Sequence, residues 1–286
     1  MILCPMILPP SDGRLFVMPI WTSSSIKIID QETFHQIDRQ VTGLAFDIHN
    51  EFGRYLDEGL YQTELAKRCQ RAGLEVIHDP ELHMTASLDG FSKKYFADLL
   101  VNQGAIVETK AVAALDPAHT GQALNYLFLC GLHHGTLLNF RTERVQHEFV
   151  STRLTMADRL RYEFDVRDWK PQSPECDQLK HHLNRCLAEW GAFLDPILYR
   201  DALTHFLGGE ERLLRKVPIL SQGEVIGIQE MRLLTNEVAF SVTAATHHPL
   251  AIFDHQQRFL AHTPLKAIQW INLNHHKIEL RTVTRK

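Results

Sequence analysis

The chain has 286 residues, is 44% hydrophobic and carries a formal net charge of −4, so it can bury a substantial core as one large or two modest domains. No apolar run approaches the roughly 20 residues of a membrane-spanning helix, which excludes a membrane partner.

The first 32 residues are expected to form a poorly ordered leader. The opening MILCPMILPP is apolar but is interrupted by prolines, and it lacks the basic region and the cleavage site of a signal peptide. The five cysteines include no C-x-x-C pair, which indicates reduced thiols and a cytoplasmic location. The histidine doublets are poor chelates, because adjacent side chains point in different directions.

Two helices are predicted next. Apolar residues recur at helical spacing from Thr33 to Phe52. The chain then breaks at Gly53–Leu56, and Asp57 is a candidate N-cap for a second helix that ends near Gly73. Glu58 lies in the first turn of that helix, where an acidic residue also compensates the helix dipole.

A β-meander follows. Strand-like runs cover Leu74–His78, Leu82–Leu88, Tyr95–Val101 and Ala105–Val112. The last two flank Asn102-Gln103-Gly104, a three-residue hairpin loop in which Gly104 should adopt the left-handed conformation.

This hairpin register brings polar side chains together. With the turn centred on Gln103, Asp98 lies opposite Glu108, and period-2 alternation places Lys110 on the same face. Opposed carboxylates repel each other, so a compensating charge is needed. A divalent cation with oxygen ligands is one candidate, and the Lys110 ammonium by itself is another.

A third helix should begin at Asp116-Pro117, an N-cap followed by proline at the first helical position, and should end near Gly131. Two strands, Gly135–Phe140 and Val145–Thr152, complete the unit. His119, Gln122 and Tyr126 form one stripe on the third helix.

The order and spacing of these residues resemble a known family. Asp98, Glu108-Thr109-Lys110 and Gln122-xxx-Tyr126 are similar to the signature of PD-(D/E)XK nucleases with its trailing Q-xxx-Y helix. The segment Gly53–Tyr61, HTGQALNYL and GTLLNF resemble the GxxExxY proteins, a branch of that superfamily. The resemblance covers roughly residues 34–153 and implies an α/β, restriction-endonuclease-like core of helix, β-meander, Q-xxx-Y helix and strand pair.

The resemblance also implies a metal-dependent phosphodiesterase site. Glu58, Asp98, Glu108 and the Thr109 carbonyl would hold Mg²⁺ or Mn²⁺, and Lys110 would orient water and stabilise developing charge. Gln122 would contact the substrate, a nucleic acid, and Tyr126 would assist as a substrate-binding or packing residue.

The second half of the chain repeats the first without its polar residues. Residues 189–203 mirror residues 51–65, and residues 270–273 mirror residues 137–140, which indicates a tandem duplication. Aligned in this way, Pro196 replaces Glu58, and the second copy has no E-x-K sequence. The equivalents of the other four site residues, Asp98, Glu108, Lys110 and Gln122, are Met231, Ser241, Thr243 and His255.

We therefore predict a leader (residues 1–32), a nuclease-like domain (33–164), a linker (165–177) and a degenerate repeat (178–286), with the two copies packed as an internal pseudo-dimer that is open to further self-association. Two alternatives to a metal-dependent nuclease stay open. One is a nuclease-derived binding or regulatory module without catalysis, and the other is a cross-strand ion network that binds no ligand.

Overall fold

A computed structural model describes residues 20–79 and 83–285 of the chain. The fold divides into two compact units. Unit 1 comprises the described residues up to Ser87 together with Ser92–Met156. Unit 2 comprises Leu88–Phe91 and Ala157–Lys286. The boundary therefore falls before the predicted linker.

Unit 1 is a mixed α/β fold. Its elements in chain order are β1 (Ile20–Thr22), α1 (Gln31–Phe52), α2 (Glu58–Arg71), β2 (Val76–His78), β3 (His83–Leu88), β4 (Phe91–Phe96), β5 (Leu99–Val101), β6 (Ala105–Lys110), α3 (Pro117–Cys130), β7 (His134–Asn139) and β8 (Gln146–Ser151). The predicted helices and most predicted strands are present at these positions.

The main sheet of unit 1 has the strand order β2-β5-β6-β7-β8. Strands β6 and β7 are parallel and the other neighbours are antiparallel. Helix α3 forms the crossover that a parallel pair requires. Helices α1 and α2 share a buried core with Val107, Leu138 and Phe140. The alternate residues of β6, Glu108 and Lys110, are not part of this core.

The β5–β6 hairpin has the predicted register, but the role predicted for Gly104 is wrong. Val101 pairs with Ala105 and Leu99 with Val107. The positive φ angles belong to Asn102 (48°) and Gln103 (61°), not to Gly104. A Cβ at position 104 would lie 2.8 Å from the carbonyl oxygen of Lys27, so the glycine is needed for close approach of another backbone segment.

The predicted meander is interrupted. Strands β3 and β4 belong to a separate sheet of order β1-β3-β4, whereas β5 pairs with β2. The predicted strand Tyr95–Val101 is divided between β4 and β5, with a break at Ala97-Asp98. At this break the Asp98 amide donates to Oε1 of the Glu108 side chain at 3.1 Å and not to a neighbouring strand.

The predicted leader is also ordered in part. Residues 1–19 lie outside the described part of the chain, but β1 pairs with β3 and the Lys27 amide donates to the Gln103 carbonyl at 2.8 Å. Residues 20–32 thus contribute to unit 1.

Unit 2 contains α4 (Met156–Arg159), which begins at the unit boundary, and then β9 (Glu163–Asp168), α5 (Pro174–Trp190), α6 (Pro196–Phe206), α7 (Glu210–Leu213), β10 (Leu214–Ser221), β11 (Glu224–Thr235), β12 (Val238–Thr243), α8 (Pro249–Ala261), β13 (Ala267–Asn274) and β14 (Lys277–Thr284). The sheet order is β10-β11-β12-β13-β14-β9. Residues 165–177, predicted to be a linker, include most of β9, which pairs with β14, and the start of α5.

Both units contain a parallel strand pair joined by a helix. Helix α3 connects β6 to β7, and α8 connects β12 to β13. Lys110 lies beside Asn139 in unit 1, as Thr243 lies beside Asn272 in unit 2.

No described helix is long and apolar enough to cross a membrane. The four cysteines in the described residues are buried thiols.

Candidate active site

Glu58 is the first residue of α2, directly after the N-cap Asp57. The preceding loop is fixed by the Tyr61 hydroxyl, which donates to the Gly53 carbonyl at 2.6 Å and accepts from the Leu56 amide at 3.2 Å. The Glu58 carboxylate extends from this helix end to the end of β6, where its Oε2 accepts from the Ala111 amide at 3.1 Å.

Asp98 and Glu108 are opposed across the hairpin, as predicted, and each bonds to the strand of the other. Oδ2 of Asp98 accepts from the Thr109 amide at 2.7 Å and from the Thr109 hydroxyl at 2.8 Å. Oε1 of Glu108 accepts from the Asp98 amide. These bonds to fixed donors hold one oxygen of each carboxylate.

The second oxygen of Glu108, Oε2, is buried and accepts no hydrogen bond from the residues that the structure describes. Glu108 is 1% exposed. Burial, and secondly the charge of Asp98, raise the pKa of its carboxyl group well above the usual value, although Lys110 opposes this shift. A buried carboxylate needs a positive charge nearby, which the Lys110 ammonium supplies and which a metal cation would also supply.

Lys110 lies between two of the carboxylates. Its ammonium is 3.5 Å from Glu108 Oε2 and 3.8 Å from Glu58 Oε1, and its side chain is 10% exposed. The structure thus brings Glu58, Asp98, Glu108 and Lys110, with Thr109, into one cluster at the end of β6.

Each carboxylate in the cluster follows the same pattern. Glu58, Asp98 and Glu108 each use one oxygen to accept from a backbone amide. The other oxygens of Glu58 and Glu108 face the Lys110 ammonium. Within residues 20–79 and 83–285, no three acidic, histidine or cysteine side chains converge closely enough to form a metal site, because these side chains are directed toward backbone donors and Lys110.

The structure does not connect Gln122 to this cluster. Gln122 is on the exposed side of α3, and its amide donates to the Tyr126 hydroxyl at 2.9 Å. Tyr126 is buried, and its ring contacts Tyr95 edge-on. His119, the third residue of the predicted stripe, forms a capping box with Asp116 at the start of α3. Its side chain therefore stabilises the helix end.

Two residues near the cluster were missed by the sequence analysis. Asn139, which is fully buried, exchanges two hydrogen bonds with the backbone of Val112. Arg141 donates to the carbonyls of Leu56 and Ala111, both at 3.3 Å. In unit 2, Asn272 bonds to the backbone of Ala245 in the same way, a repetition that could have identified Asn139 as structural, whereas no pattern distinguishes Arg141.

In unit 2 an indole ring lies beside the residues that the sequence alignment matches to Glu108 and Lys110. Trp270 is fully buried, and its Nε1 donates to the Thr243 hydroxyl at 2.9 Å. The guanidinium of Arg281 lies over the same ring. Ser241 accepts from the Gln256 amide at 3.1 Å. These residues offer hydroxyl groups and an aromatic ring, not carboxylates and an ammonium.

Residues 35–152, which lie in unit 1 except for Leu88–Phe91, match the family model of the PD-(D/E)XK nuclease superfamily. No curated protein and no solved structure matches the chain.

Proposed function

We propose, from the premise that residues 35–152 belong to the PD-(D/E)XK nuclease superfamily, that this protein is a metal-dependent nuclease whose active site is the Glu58–Asp98–Glu108–Lys110 cluster. The observation that carries the proposal is the clustering of three carboxylates with Lys110 at the end of β6, with Oε2 of Glu108 buried and accepting no hydrogen bond from the described residues. Metal binding distinguishes this site from a structural ion network.

The donor set fits Mg²⁺ or Mn²⁺. Glu58, Asp98 and Glu108, with the Thr109 carbonyl, would supply the oxygen ligands that these hard cations prefer. A bound ion would lower the pKa of a coordinated water and polarise the phosphoryl oxygen. One oxygen of each carboxylate already accepts from a backbone amide. These side chains have therefore lost much of their rotational freedom before a cation binds.

Lys110 would serve two purposes. Without a metal, its ammonium compensates the charges of Glu58 and Glu108. With substrate present, it would orient the attacking water and stabilise the negative charge that develops on the phosphoryl group. Gln122, which is exposed on α3, would contact the nucleic acid, while Tyr126 would hold the Gln122 amide in place.

Unit 2 is, in this proposal, a degenerate tandem copy without catalysis. Several fold-determining contacts support the duplication. The Tyr199 hydroxyl bonds to the Gly191 carbonyl as Tyr61 bonds to Gly53, and Asn272 bonds to Ala245 as Asn139 bonds to Val112. We further propose that the chain belongs to the GxxExxY branch, acts in the cytoplasm and uses its two copies as an internal pseudo-dimer.

The test is cleavage of a panel of single- and double-stranded DNA and RNA with Mn²⁺. Wild type should cleave at least one substrate, and Lys110→Ala should lose cleavage by about 10²–10³-fold, the typical cost of removing one such electrostatic contact, while still binding Mn²⁺. Ser241→Ala, the matched control in unit 2, should behave as wild type.

Two results would overturn the proposal. Wild type and Lys110→Ala that both bind Mn²⁺ but cleave nothing, in buffer and in cell extract, would favour a binding module derived from a nuclease. Wild type that binds no metal would favour the ion network.

A further inference from the structure

Arg141 joins the two segments that supply the candidate site. Its Nη2 donates to the carbonyl of Leu56, two residues before Glu58, and its Nε donates to the carbonyl of Ala111, directly after Lys110. The amide of the same Ala111 donates to the Glu58 carboxylate. One half-buried guanidinium therefore links the loop before α2 to the end of β6.

The Gly53–Asp57 loop has a second support that both units share. Tyr61 bonds to the Gly53 carbonyl, and Tyr199 bonds to the Gly191 carbonyl in unit 2. This tyrosine contact supports the fold and not the candidate site, because unit 2 keeps it although Pro196 is at the position aligned with Glu58.

Arg141 has no such counterpart. The position that corresponds to it, five residues after Thr136 and Gln269 in the aligned strands β7 and β13, is Asn274. In unit 2 the corresponding loop is held from other elements: the buried Arg159 guanidinium of α4 donates to the carbonyls of Trp190 and Ala192, and Phe193 stacks on His275 with centroids 5.4 Å apart. The guanidinium after β7, which reaches both the loop before α2 and the end of β6, thus belongs to the unit that has Glu58, whereas the guanidinium of the unit that has Pro196 comes from α4, ahead of the loop.

We propose that Arg141 is a positioning residue of the candidate site, which sets the separation between Glu58 and the Glu108–Lys110 pair. This inference rests on the proposed function. The planar guanidinium can donate to two carbonyls at once, which a lysine ammonium on a flexible stem does not reproduce. Arg141 acts through Glu58, and its two bonded nitrogens are directed to the backbone and not to a substrate.

The first test measures Mn²⁺ affinity by calorimetry. Arg141→Met and Arg141→Lys should both weaken binding by about 10–100-fold, the usual effect of losing a residue that orients a metal ligand. Glu58→Gln should weaken it similarly, and the double variant Glu58→Gln with Arg141→Met should lose little more than either single variant. Arg144→Met removes an exposed basic side chain three positions away and is the matched control.

The second test needs no metal. Amide hydrogen exchange at Ala111, followed by NMR, reports whether the Glu58 carboxylate is held in place. Glu58→Ala removes the acceptor and should accelerate exchange. Arg141→Met should accelerate it in the same way, and Arg144→Met should not. If Arg141→Met fails to fold, Arg141→Lys gives the same comparison.

Several outcomes would overturn the inference. Wild-type Mn²⁺ affinity in both Arg141 variants, additive losses in the double variant, or unchanged Ala111 exchange in Arg141→Met would each do so. An increased KM for nucleic acid with unchanged kcat and metal affinity would make Arg141 a substrate-binding residue instead. If wild type binds no Mn²⁺, the proposed function fails, and the exchange measurement still decides whether Arg141 positions Glu58.

Discussion

Replacing Lys110 with methionine should destabilise unit 1 of the metal-free protein by about 3–5 kcal/mol at pH 8, the typical cost of removing one partner from a buried ion pair. The Lys110 ammonium lies 3.5 Å from Glu108 Oε2, and the two side chains are 10% and 1% exposed. Opposite charges about 4 Å apart attract by about 4 kcal/mol at an effective dielectric constant of 20. The variant loses this attraction, whereas Glu108 keeps its desolvation cost.

The cost should depend on pH, because Glu108 can take up a proton. Burial raises the pKa of Glu108 in the folded protein, and the charge of Asp98 adds to the effect. A carboxyl group with a raised folded pKa favours folding most below about pH 4.3, its unfolded pKa, and loses this contribution as the pH rises through the folded pKa. The variant should therefore lose less stability at pH 5 than at pH 8.

The assay is urea unfolding in EDTA, with pulsed alkylation of Cys69 as the probe of unit 1. Burial raises the pKa of the Cys69 thiol to about 12, so it reacts only when unit 1 opens. The matched control is Lys277→Met in unit 2, probed at Cys186, whose buried thiol also has a pKa of about 12. Lys277 lies 3.4 Å from Glu279 but is 47% exposed, so its loss should cost at most about 1 kcal/mol. A cost below about 1 kcal/mol for Lys110→Met at pH 8 would refute its role as the counter-ion of Glu108.

Two further predictions concern neighbouring positions. Glu108→Gln should remove the stabilisation that Mn²⁺ gives by mass action, measured by calorimetry as the Mn²⁺-dependent shift of the melting temperature, because the variant lacks a carboxylate ligand; a full Mn²⁺ response would contradict the site. Gly104→Ala should cost about 1–3 kcal/mol in urea unfolding, because its Cβ would lie 2.8 Å from the Lys27 carbonyl oxygen. Gly121→Ala in α3, with open space around the new Cβ, should instead gain up to about 1 kcal/mol, and equal effects at the two glycines would contradict the packing argument.

Local rules were sufficient for much of unit 1. The N-cap Asp116 and the left-handed Gly131 delimit α3 as predicted, because both follow from backbone preferences of single residues. The opposition of Asp98 and Glu108 followed from one hairpin register, and strand alternation then placed Lys110 on the face of Glu108.

The remaining features depend on contacts between distant segments. Gly104 is required by the approach of Lys27, and Asn102 keeps its positive φ while its side chain accepts from the Glu75 amide at 2.9 Å. The strand break at Asp98 depends on the Glu108 side chain. No pattern in the local sequence encodes these contacts, and the bridge made by Arg141 is of the same kind.

The most direct test of the site is the anomalous scattering of Mn²⁺ in crystals of the protein. We expect an Mn²⁺ peak in unit 1 within coordination distance of Glu108 Oε2, with Glu58 and Asp98 as further ligands, and its loss in Glu108→Gln. A peak elsewhere, or an empty Glu108 site at an Mn²⁺ concentration that supports cleavage, would contradict this expectation.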